Sequence, residues 1–297
     1  MTSSRRTFLK NSTLAMAGVA VAPLLPHTRV CLQLYSVRDA MKADPTGTLK
    51  QLAAMGYRNV EHANYIDRKF YGFDAVSFRK ILSDLGLAMV SGHTELKEGV
   101  HWSGSDFTDA WKHTLEDAKT AGQEYVVCPW LDESLRGDYD RLQRWMAVFN
   151  KCGALCKTMG LQFGYHNHDF EFKDHLNGKL LFDIILSETD PSLVAQQLDI
   201  GNLLLGGAKP MDVLQAHPGR FALLHVKDMI PAHGTGEMGG AYESTILGQG
   251  ILDTRSVVTR AVRQGATQLT IEQESYQGRN PLDDARNDLT TMHRWGF

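Results

Sequence analysis

The segment YDRLQRWMAVFNKCGALCKTMGLQFGYHNH, residues 139–168, contains one complete structural unit of this chain. Apolar residues recur at helical spacing over Tyr139–Met159, and the short run Leu161–His166 is rich in residues that favour strands. Gly160 lies between them, where the C-terminal end of a helix commonly requires glycine. A helix that leads through glycine into a buried strand is typical of a sheet built from parallel strands.

Working outward, the same unit recurs along the chain. Helical patterns over Thr48–Met55, Phe78–Leu85, Trp111–Ala121 and Thr254–Gln264 each precede a glycine and then an apolar run. The predicted strands are Val30–Tyr35, Asn59–Glu61, Leu87–His93, Tyr125–Trp130, Leu161–His166, Val194–Asp199, Phe221–His225 and Gln268–Glu272. Eight strand–helix units in about 270 residues predict a single-domain (β/α)8 barrel, a TIM barrel, over residues 28–297. The stretch Ile230–Gly250 is predicted to be a loop.

Residues 1–27 have the features of an export signal. Arg5 and Arg6 precede an apolar stretch from Leu14 to Leu25, and Ala20-Val21-Ala22 matches a signal-peptidase site. This pattern resembles a twin-arginine (Tat) signal, which carries folded proteins to the periplasm. The apolar stretch is shorter than the about 20 residues that span a bilayer. Export should therefore be lost when both arginines are replaced by lysine.

The charge of the chain argues against several classes of partner. The formal net charge is −3, and no basic block is longer than two residues. Nucleic-acid-binding proteins usually carry a basic stripe, so a nuclease is disfavoured and no nucleic-acid partner is expected. No second long apolar span is present, so no membrane association is expected once the signal is removed.

Polar side chains close most of the predicted strands. Strand two ends in Glu61-His62, strand three in His93, and strand five in His166-Asn167-His168. Strands six, seven and eight end in Asp199, His225 and Glu272, and Lys227 and Glu274 each lie two residues further along. The C-terminal ends of the strands surround the active site of a TIM barrel. Imidazoles and carboxylates gathered there suit one divalent ion, Mn, Co, Zn, Ni or Fe.

At these residues the chain resembles the sugar phosphate isomerase/epimerase superfamily, the xylose-isomerase-like TIM barrels. The segments that carry the resemblance include Gly56–Glu61, Gly164–Phe172, Gln197–Asn202, Leu224–Met229, Leu247–Asp253 and Thr270–Glu274. The resemblance implies a metal held by side chains after strands five to eight, and it implies a homo-oligomer by analogy with relatives.

Three of the implied metal ligands match the family pattern, namely Asp199, His225 and Glu272. At the strand-five position the family often has glutamate, whereas this chain has His166-Asn167-His168. We take His166 as the fourth ligand and His168 as the alternative, because residues two apart on a strand point the same way. A histidine ligand is a poor base, which puts the family's two-glutamate epimerisation in doubt.

A reaction with one base remains possible. The metal would stabilise an enediolate while the base removes the α-proton of a keto-sugar or glycoside, and a neighbouring group then leaves. Export favours neutral sugars over sugar phosphates, so a lyase or dehydratase acting on a 3-keto-glycoside or keto-inositol is expected. The alternatives are an isomerase or epimerase of free ketoses and a non-catalytic sugar-binding barrel.

The remaining polar and aromatic residues near the strand ends are candidates for catalysis and substrate binding. Glu61, His168, Lys227 and Glu274 are the catalytic candidates, with Lys227 suited to stabilising an oxyanion. Gln33, Tyr35, His93 and Trp130 are the candidates that line the sugar pocket. Each could instead be an ion-paired or packing residue around the metal ligands.

Overall fold

The chain folds into a closed barrel of eight parallel strands, and the computed structural model describes residues 28–297. The barrel strands are β1 Arg29–Gln33, β2 Asn59–His62, β3 Ala88–His93, β4 Tyr125–Cys128, β5 Gln162–His166, β6 Val194–Asp199, β7 Phe221–Val226 and β8 Gln268–Ile271. Each strand pairs with its sequence neighbours, and β1 pairs with β8 to close the barrel. The predicted (β/α)8 architecture is confirmed.

Ten α-helices occur among the described residues, mostly around the outside of the barrel. They are α1 Arg38–Ala43, α2 Pro45–Met55, α3 Ala75–Asp84, α4 Asp109–Ala121, α5 Tyr139–Thr158, α6 Leu181–Glu188, α7 Ile200–Leu205, α8 Pro210–Ala216, α9 Thr254–Arg263 and α10 Pro281–Trp295. Several begin at a capping aspartate; the side chain of Asp138, for example, accepts a hydrogen bond from the backbone N–H of Arg141 at the start of α5. Such caps satisfy N–H groups that have no partner inside the helix.

Three predicted strand ends lie slightly beyond the observed ones. β1 ends at Gln33, so Tyr35 lies in a 3-10 turn, and β4 ends at Cys128, two residues before Trp130. β8 ends at Ile271, so Glu272 follows the strand. These shifts of one or two residues leave all three side chains on the C-terminal side of the barrel.

The prediction that Ile230–Gly250 is a loop is wrong in part. Asp228–Pro231 pairs with Tyr242–Thr245 as an antiparallel hairpin, and a 3-10 turn, Glu237–Gly239, lies near its tip. The glycine-rich composition predicted the turn but hid the short strands on either side of it.

The barrel interior beneath its C-terminal mouth is polar. Side chains alternate between the inside and the outside along each strand, so Gln33, Glu61, Gln197 and Gln268 point inward and are completely or almost completely buried. The apolar core instead lies between the strands and the helices, in two clusters of buried hydrophobic residues. The barrel therefore supports its mouth with hydrogen bonds rather than with layers of aliphatic side chains.

Within residues 28–297, no helix is both long and apolar enough to cross a lipid bilayer. The Tat-signal prediction concerns residues 1–27, which lie outside the described part of the chain, and it stays a prediction.

Candidate active site

Glu61 lies at the centre of the polar interior, where it is fully buried. Gln33 Nε2 donates to its Oε1 at 2.8 Å, and Ser91 Oγ and Gln197 Nε2 donate to its Oε2 at 2.5 and 2.8 Å. His225 Nε2 lies 2.6 Å from Oε1. Burial would raise the pKa of Glu61, but His225 and His93 hold that pKa well below its usual value. Glu61 is therefore an anionic hydrogen-bond acceptor below the mouth.

These hydrogen bonds set the orientation of two histidine rings. The Glu61 carboxylate can only accept, so His225 Nε2 carries a proton and its Nδ1 faces Asp199 and Glu272. His166 Nδ1 lies 3.0 Å from Gln197 Oε1, which likewise only accepts, so the lone pair of His166 Nε2 faces Asp199. A carboxylate or amide that holds the far nitrogen of a histidine is the usual support of a metal-binding imidazole.

Potential metal-ligating atoms of four side chains lie near one another at this end of the barrel. His225 Nδ1 lies 2.8 Å from Glu272 Oε2 and 3.7 Å from Asp199 Oδ2. His166 Nε2 lies 3.9 Å from the same Asp199 oxygen. A divalent ion with bonds of about 2.0–2.2 Å places its ligands about 3–4 Å apart. Asp199, His225 and Glu272 therefore fit a divalent metal in donor type and in spacing, and His166, whose Nε2 faces the same Asp199 oxygen, is the candidate for the fourth ligand.

Asp199 divides its two carboxylate oxygens between structure and site. Oδ1 accepts the backbone N–H groups of Gly201 and Asn202 at 2.9 and 2.7 Å, and so caps α7. Oδ2 is buried and has no hydrogen bond of good geometry, although Lys227 Nζ lies 3.1 Å away. A buried carboxylate oxygen that has no hydrogen bond and lies beside imidazoles is expected where a cation binds.

Lys227 places an ammonium among the same carboxylates. Its Nζ lies 3.1 Å from Asp199 Oδ2, 3.0 Å from Glu272 Oε2 and 2.5 Å from Glu274 Oε1, and the side chain is fully buried. Burial would lower the pKa of Lys227, but Asp199, Glu272 and Glu274 together hold that pKa well above its usual value. One lysine thus faces three carboxylates, and those of Glu272 and Asp199 also hold the pKa of the neighbouring His225 well above its usual value, against the effect of burial. A metal ion bound at Nδ1 of His225 would take the place of that imidazole proton.

A large cleft opens above the cluster. Its volume is about 1180 Å³, and its inner end is lined by His93, His166, His168, Glu272 and Glu274. His168 Nδ1 is buried without a hydrogen-bond partner, and its ring meets the ring of Trp130 edge-on at 4.9 Å. Burial lowers the pKa of His168 to about 4, so its imidazole is neutral. A base or a proton donor could therefore act from this side of the cleft.

The structure separates the two candidate histidines of strand five. The side-chain donors within 4.8 Å of one another form two groups among the described residues, His93 with His166 and His225, and Asp199 with His225 and Glu272. His166 belongs to the first group and faces Asp199, whereas His168 belongs to neither. Geometry therefore favours His166 as the fourth ligand.

The predicted pocket residues lie at three different depths. Gln33 is fully buried against Glu61 and is out of reach of a substrate. His93 and Tyr35 line the cleft, at its inner end and its rim respectively. Trp130 lines a smaller pocket beside the cleft, which shares Glu95, Lys97 and Val100 with it.

The sequence prediction missed the amides that organise the site. Gln197 accepts from His93 and His166 and donates to Glu61, which links three inward-facing side chains. Asn167 Oδ1 accepts the backbone N–H of Asp199 at 2.9 Å, and its Nδ2 donates to the Asp199 carbonyl oxygen. Gln197 lies two residues before Asp199 on β6, and this inward period was the signal that could have identified it.

The Lys227-Asp228 segment is joined to the glycine-rich segment that follows it. The Asp228 carboxylate accepts the backbone N–H groups of Gly248, Gly250 and Leu252 at 2.9, 3.0 and 3.2 Å. A Cβ atom at Gly250 would lie 2.1 Å from Asp228 Oδ1, so only glycine allows this approach. The motif therefore secures the strand end that carries His225 and Lys227.

The fold is a TIM barrel, because eight parallel strands close on themselves. Imidazole and carboxylate groups at its C-terminal mouth form a candidate metal site. The model of the family described as xylose isomerase-like TIM barrel matches residues 49–295. This chain belongs to the xylose isomerase-like TIM barrel family.

Individual relatives agree with this assignment. An inosose dehydratase of Geobacillus kaustophilus is 23% identical over 202 residues, and the match covers 61% of each protein. The match thus spans less than two thirds of that relative. The crystal structure of a sugar phosphate isomerase/epimerase from Parabacteroides distasonis superposes with a TM-score of 0.75 at 24% identity, covering 90% of this chain and 98% of that one. The zinc-bound IOLI protein gives a TM-score of 0.66 at 12% identity, with 90% and 98% covered.

The contact between Glu61 and His225 can be tested by substitution. In wild type the Glu61 carboxylate keeps the imidazole proton on His225 Nε2, so that Nδ1 is free to bind a metal. In Glu61→Gln the side-chain amide can donate to Nε2, and the proton can then move to Nδ1. We expect metal affinity to fall about 10- to 100-fold, the usual effect of losing a carboxylate behind a metal-binding histidine. Isothermal titration with Zn²⁺ or Mn²⁺ measures this affinity.

Glu124→Gln, which alters a surface pair with Arg29, is the control and should bind the metal as the wild type does. Equal affinity in Glu61→Gln and Glu124→Gln would contradict this role of Glu61.

Proposed function

We propose that this chain is a divalent-metal-dependent enzyme that acts on a keto-sugar or glycoside by elimination, as a lyase or dehydratase. The observation that carries the proposal is the group of imidazole and carboxylate donors around His225, two of which, His166 and Glu272, line the inner end of one large cleft. Such a site holds an oxygen-rich substrate while charge develops on one of its oxygens. The similarity to inosose dehydratases, named for the removal of water from inosose, supports elimination over other outcomes.

In this proposal His166, Asp199, His225 and Glu272 hold the metal. When bound, a divalent ion supplies Lewis-acid polarisation of a carbonyl or hydroxyl oxygen. The zinc bound to the IOLI protein, a neighbour of the same fold, supports the proposal of a metal in this chain. The residues themselves do not distinguish Zn from Mn, Co, Ni or Fe.

The proton that must move lies on the carbon next to the substrate carbonyl. His168 is our candidate base, because its ring lines the inner cleft and its imidazole is neutral. The imidazole takes the proton, the C–H electron pair forms a carbon–carbon double bond, and the C–O bond to the neighbouring substituent breaks. The departing oxygen takes back the proton that His168 removed, so that one imidazole serves as base and then as acid, and Glu274 stays ionised beside Lys227. The Lys227 ammonium, buried behind Glu272 and Glu274, stabilises negative charge on the substrate through its field and not by direct contact.

We assign Glu61 an orienting role in place of the catalytic role predicted from the sequence. Its carboxylate is fully buried below His225, and its oxygens already accept several hydrogen bonds. A base must reach the proton that it removes. We therefore propose that Glu61 orients His225 and His93 rather than touching the substrate.

The test is direct incubation of the metal-loaded protein with a 3-keto-glucoside, an inosose and a free ketose. Elimination is expected, with an unsaturated ketone as product and release of water or of the aglycone, followed by mass spectrometry and ultraviolet absorbance. His168→Gln should retain bound metal and lose most of the turnover, by about 10²- to 10⁴-fold. Epimers or isomers without an elimination product would favour the isomerase alternative. Binding of sugar with no product from any of the three would favour a non-catalytic sugar-binding barrel.

A further inference from the structure

The cleft is larger than a single sugar ring requires. Its volume of about 1180 Å³ lies above the range of about 300–1,000 Å³ typical of pockets for drug-sized ligands. The donor cluster occupies only the inner end. A keto-sugar bound to that cluster would leave the outer part of the cleft to another portion of the same molecule.

The lining of the cleft includes four exposed apolar residues, which we call the apolar rim and which stand among charged ones such as Asp67, Arg68 and Lys97. Tyr35, Ile66, Val100 and Met238 line the cleft with 42%, 62%, 52% and 44% of their surface exposed. Seven large hydrophobic residues are exposed in the part of the chain that the structure describes, and these four are among them. Exposed apolar residues scattered singly carry no meaning, but four that line one cleft indicate a surface for an apolar group.

Four separate segments bring these side chains together. Tyr35 lies in the turn after β1, Ile66 in the Tyr65–Phe70 hairpin after β2, and Val100 in the segment after β3. Met238 lies near the tip of the hairpin after β7, with a left-handed φ of 52°. A non-glycine residue in this region is uncommon, and such conformations cluster at ligand-binding sites. The apolar rim is therefore assembled by the fold and does not belong to one sticky loop.

The chemistry of these four side chains favours an apolar group over a second sugar. Ile66, Val100 and Met238 offer no strong hydrogen-bond donor or acceptor from their side chains, whereas sugar hydroxyls lose water when they bind and require replacement partners. An aromatic or alkyl group has no hydrogen bonds to water to lose when it moves onto the rim. Its burial contributes about 25 cal/mol of binding free energy for each Å² of apolar surface removed from water.

We propose that the apolar rim of Tyr35, Ile66, Val100 and Met238 is a subsite for the aglycone of a glycoside, and that the aglycone is an aromatic or alkyl group. This inference rests on the proposed function, because it takes the sugar portion to lie on the donor cluster. It narrows the substrate class from keto-sugars in general to glycosides with an apolar aglycone.

The experiment compares two substrates that differ only in the aglycone, phenyl 3-keto-β-glucoside and methyl 3-keto-β-glucoside, with the metal-loaded protein. Phenol is the better leaving group, so the subsite is measured by how much the phenyl-to-methyl ratio of kcat/KM changes when the rim is altered. In the double variant Ile66→Ser with Val100→Ser we expect this ratio to fall at least about tenfold below the wild-type ratio, since even a methylene in a fitted pocket is worth about 10- to 200-fold. Val76→Ser is the matched control, an exposed valine on α3 that is not part of the cleft, and it should keep the wild-type ratio.

The failure of this inference differs from failure of the proposed function. Elimination from both substrates with the same phenyl-to-methyl ratio in the double variant as in the wild type would overturn the aglycone subsite and leave the lyase proposal standing. If neither substrate is turned over, calorimetric binding of phenyl and methyl β-glucoside decides the question. Tighter binding of the phenyl compound, lost in the double variant and kept in Val76→Ser, would support the subsite. Equal binding, or no binding of either, would overturn it.

Discussion

Replacing Asp199 by asparagine is expected to remove metal binding and activity while leaving the fold intact. The amide oxygen of asparagine can keep accepting from Gly201 and Asn202, as Asp199 Oδ1 does, because asparagine and aspartate cap helices about equally well. The charge at the Oδ2 position, which faces His166, His225 and Lys227, is lost. An alanine would also lose the cap of α7, so asparagine separates the two roles of this side chain.

The expected loss is large. Removal of a direct ligand should weaken metal binding by more than the about 10- to 100-fold seen for residues behind the ligands. We expect kcat/KM to fall by at least about 10³, because Lewis-acid stabilisation is worth several kcal/mol. Metal content by mass spectrometry, elimination kinetics and circular dichroism measure the three properties separately.

A second aspartate provides the control. Asp74 caps α3 through its side chain, which accepts from the backbone N–H of Ser77, and it does not belong to the donor cluster. Asp74→Asn should retain metal, activity and stability. Full metal occupancy in Asp199→Asn would show that the donor cluster does not hold the metal.

Replacing Lys227 by methionine is expected to make the stability of the protein depend on metal. Without the ammonium, Asp199, Glu272 and Glu274 are left as buried carboxylates with no lysine partner. Breaking a buried ion pair from one side costs about 3–5 kcal/mol. We therefore expect the metal-free variant to unfold at clearly lower temperature than the wild type, and added Zn²⁺ or Mn²⁺ to restore much of the difference, because a bound cation replaces the missing charge.

The same substitution tests the chemical role of Lys227. If the ammonium stabilises charge on the substrate, kcat should fall by about 10²- to 10³-fold even when the variant is folded and loaded with metal. Lys80→Met is the matched control, since Lys80 pairs with Asp84 on the surface of α3 and such pairs contribute about 0–1 kcal/mol. An unchanged Tm in metal-free Lys227→Met would contradict the charge balance drawn from the structure. Wild-type kcat in the loaded variant would remove Lys227 from the reaction.

The barrel was predictable because its signals are local. Each strand is a short apolar run, and glycine commonly separates it from the preceding helix, as Gly160 does before β5. The short helices α7 and α8 were not predicted. Each has fewer than eight residues, too few for a helical period to be read from the sequence. Their place in the structure depends on packing against β7 and on the Asp199 cap.

The donor set was predictable in residue type but not in depth. Asp199, His225 and Glu272 stand at or just after successive strand ends, where a TIM barrel places its active site. Glu61 stands at a similar place on β2, yet it contacts Nε2 of His225, whereas Asp199 and Glu272 face Nδ1 on the other side of that ring. The sequence holds no signal for this difference, because it arises between strands.

Sequence alone determined that this chain has eight strand–helix units and that imidazoles and carboxylates follow the strands at one end of the sheet. The period of two along a strand settles which side chains point inward. Only the tertiary structure decided that Glu61 supports His225 from below, that Lys227 stands among three carboxylates, and that His166 rather than His168 faces Asp199. The physical reason is that closing a barrel tilts and staggers its strands. The depth of each inward side chain is therefore a property of all eight strands together.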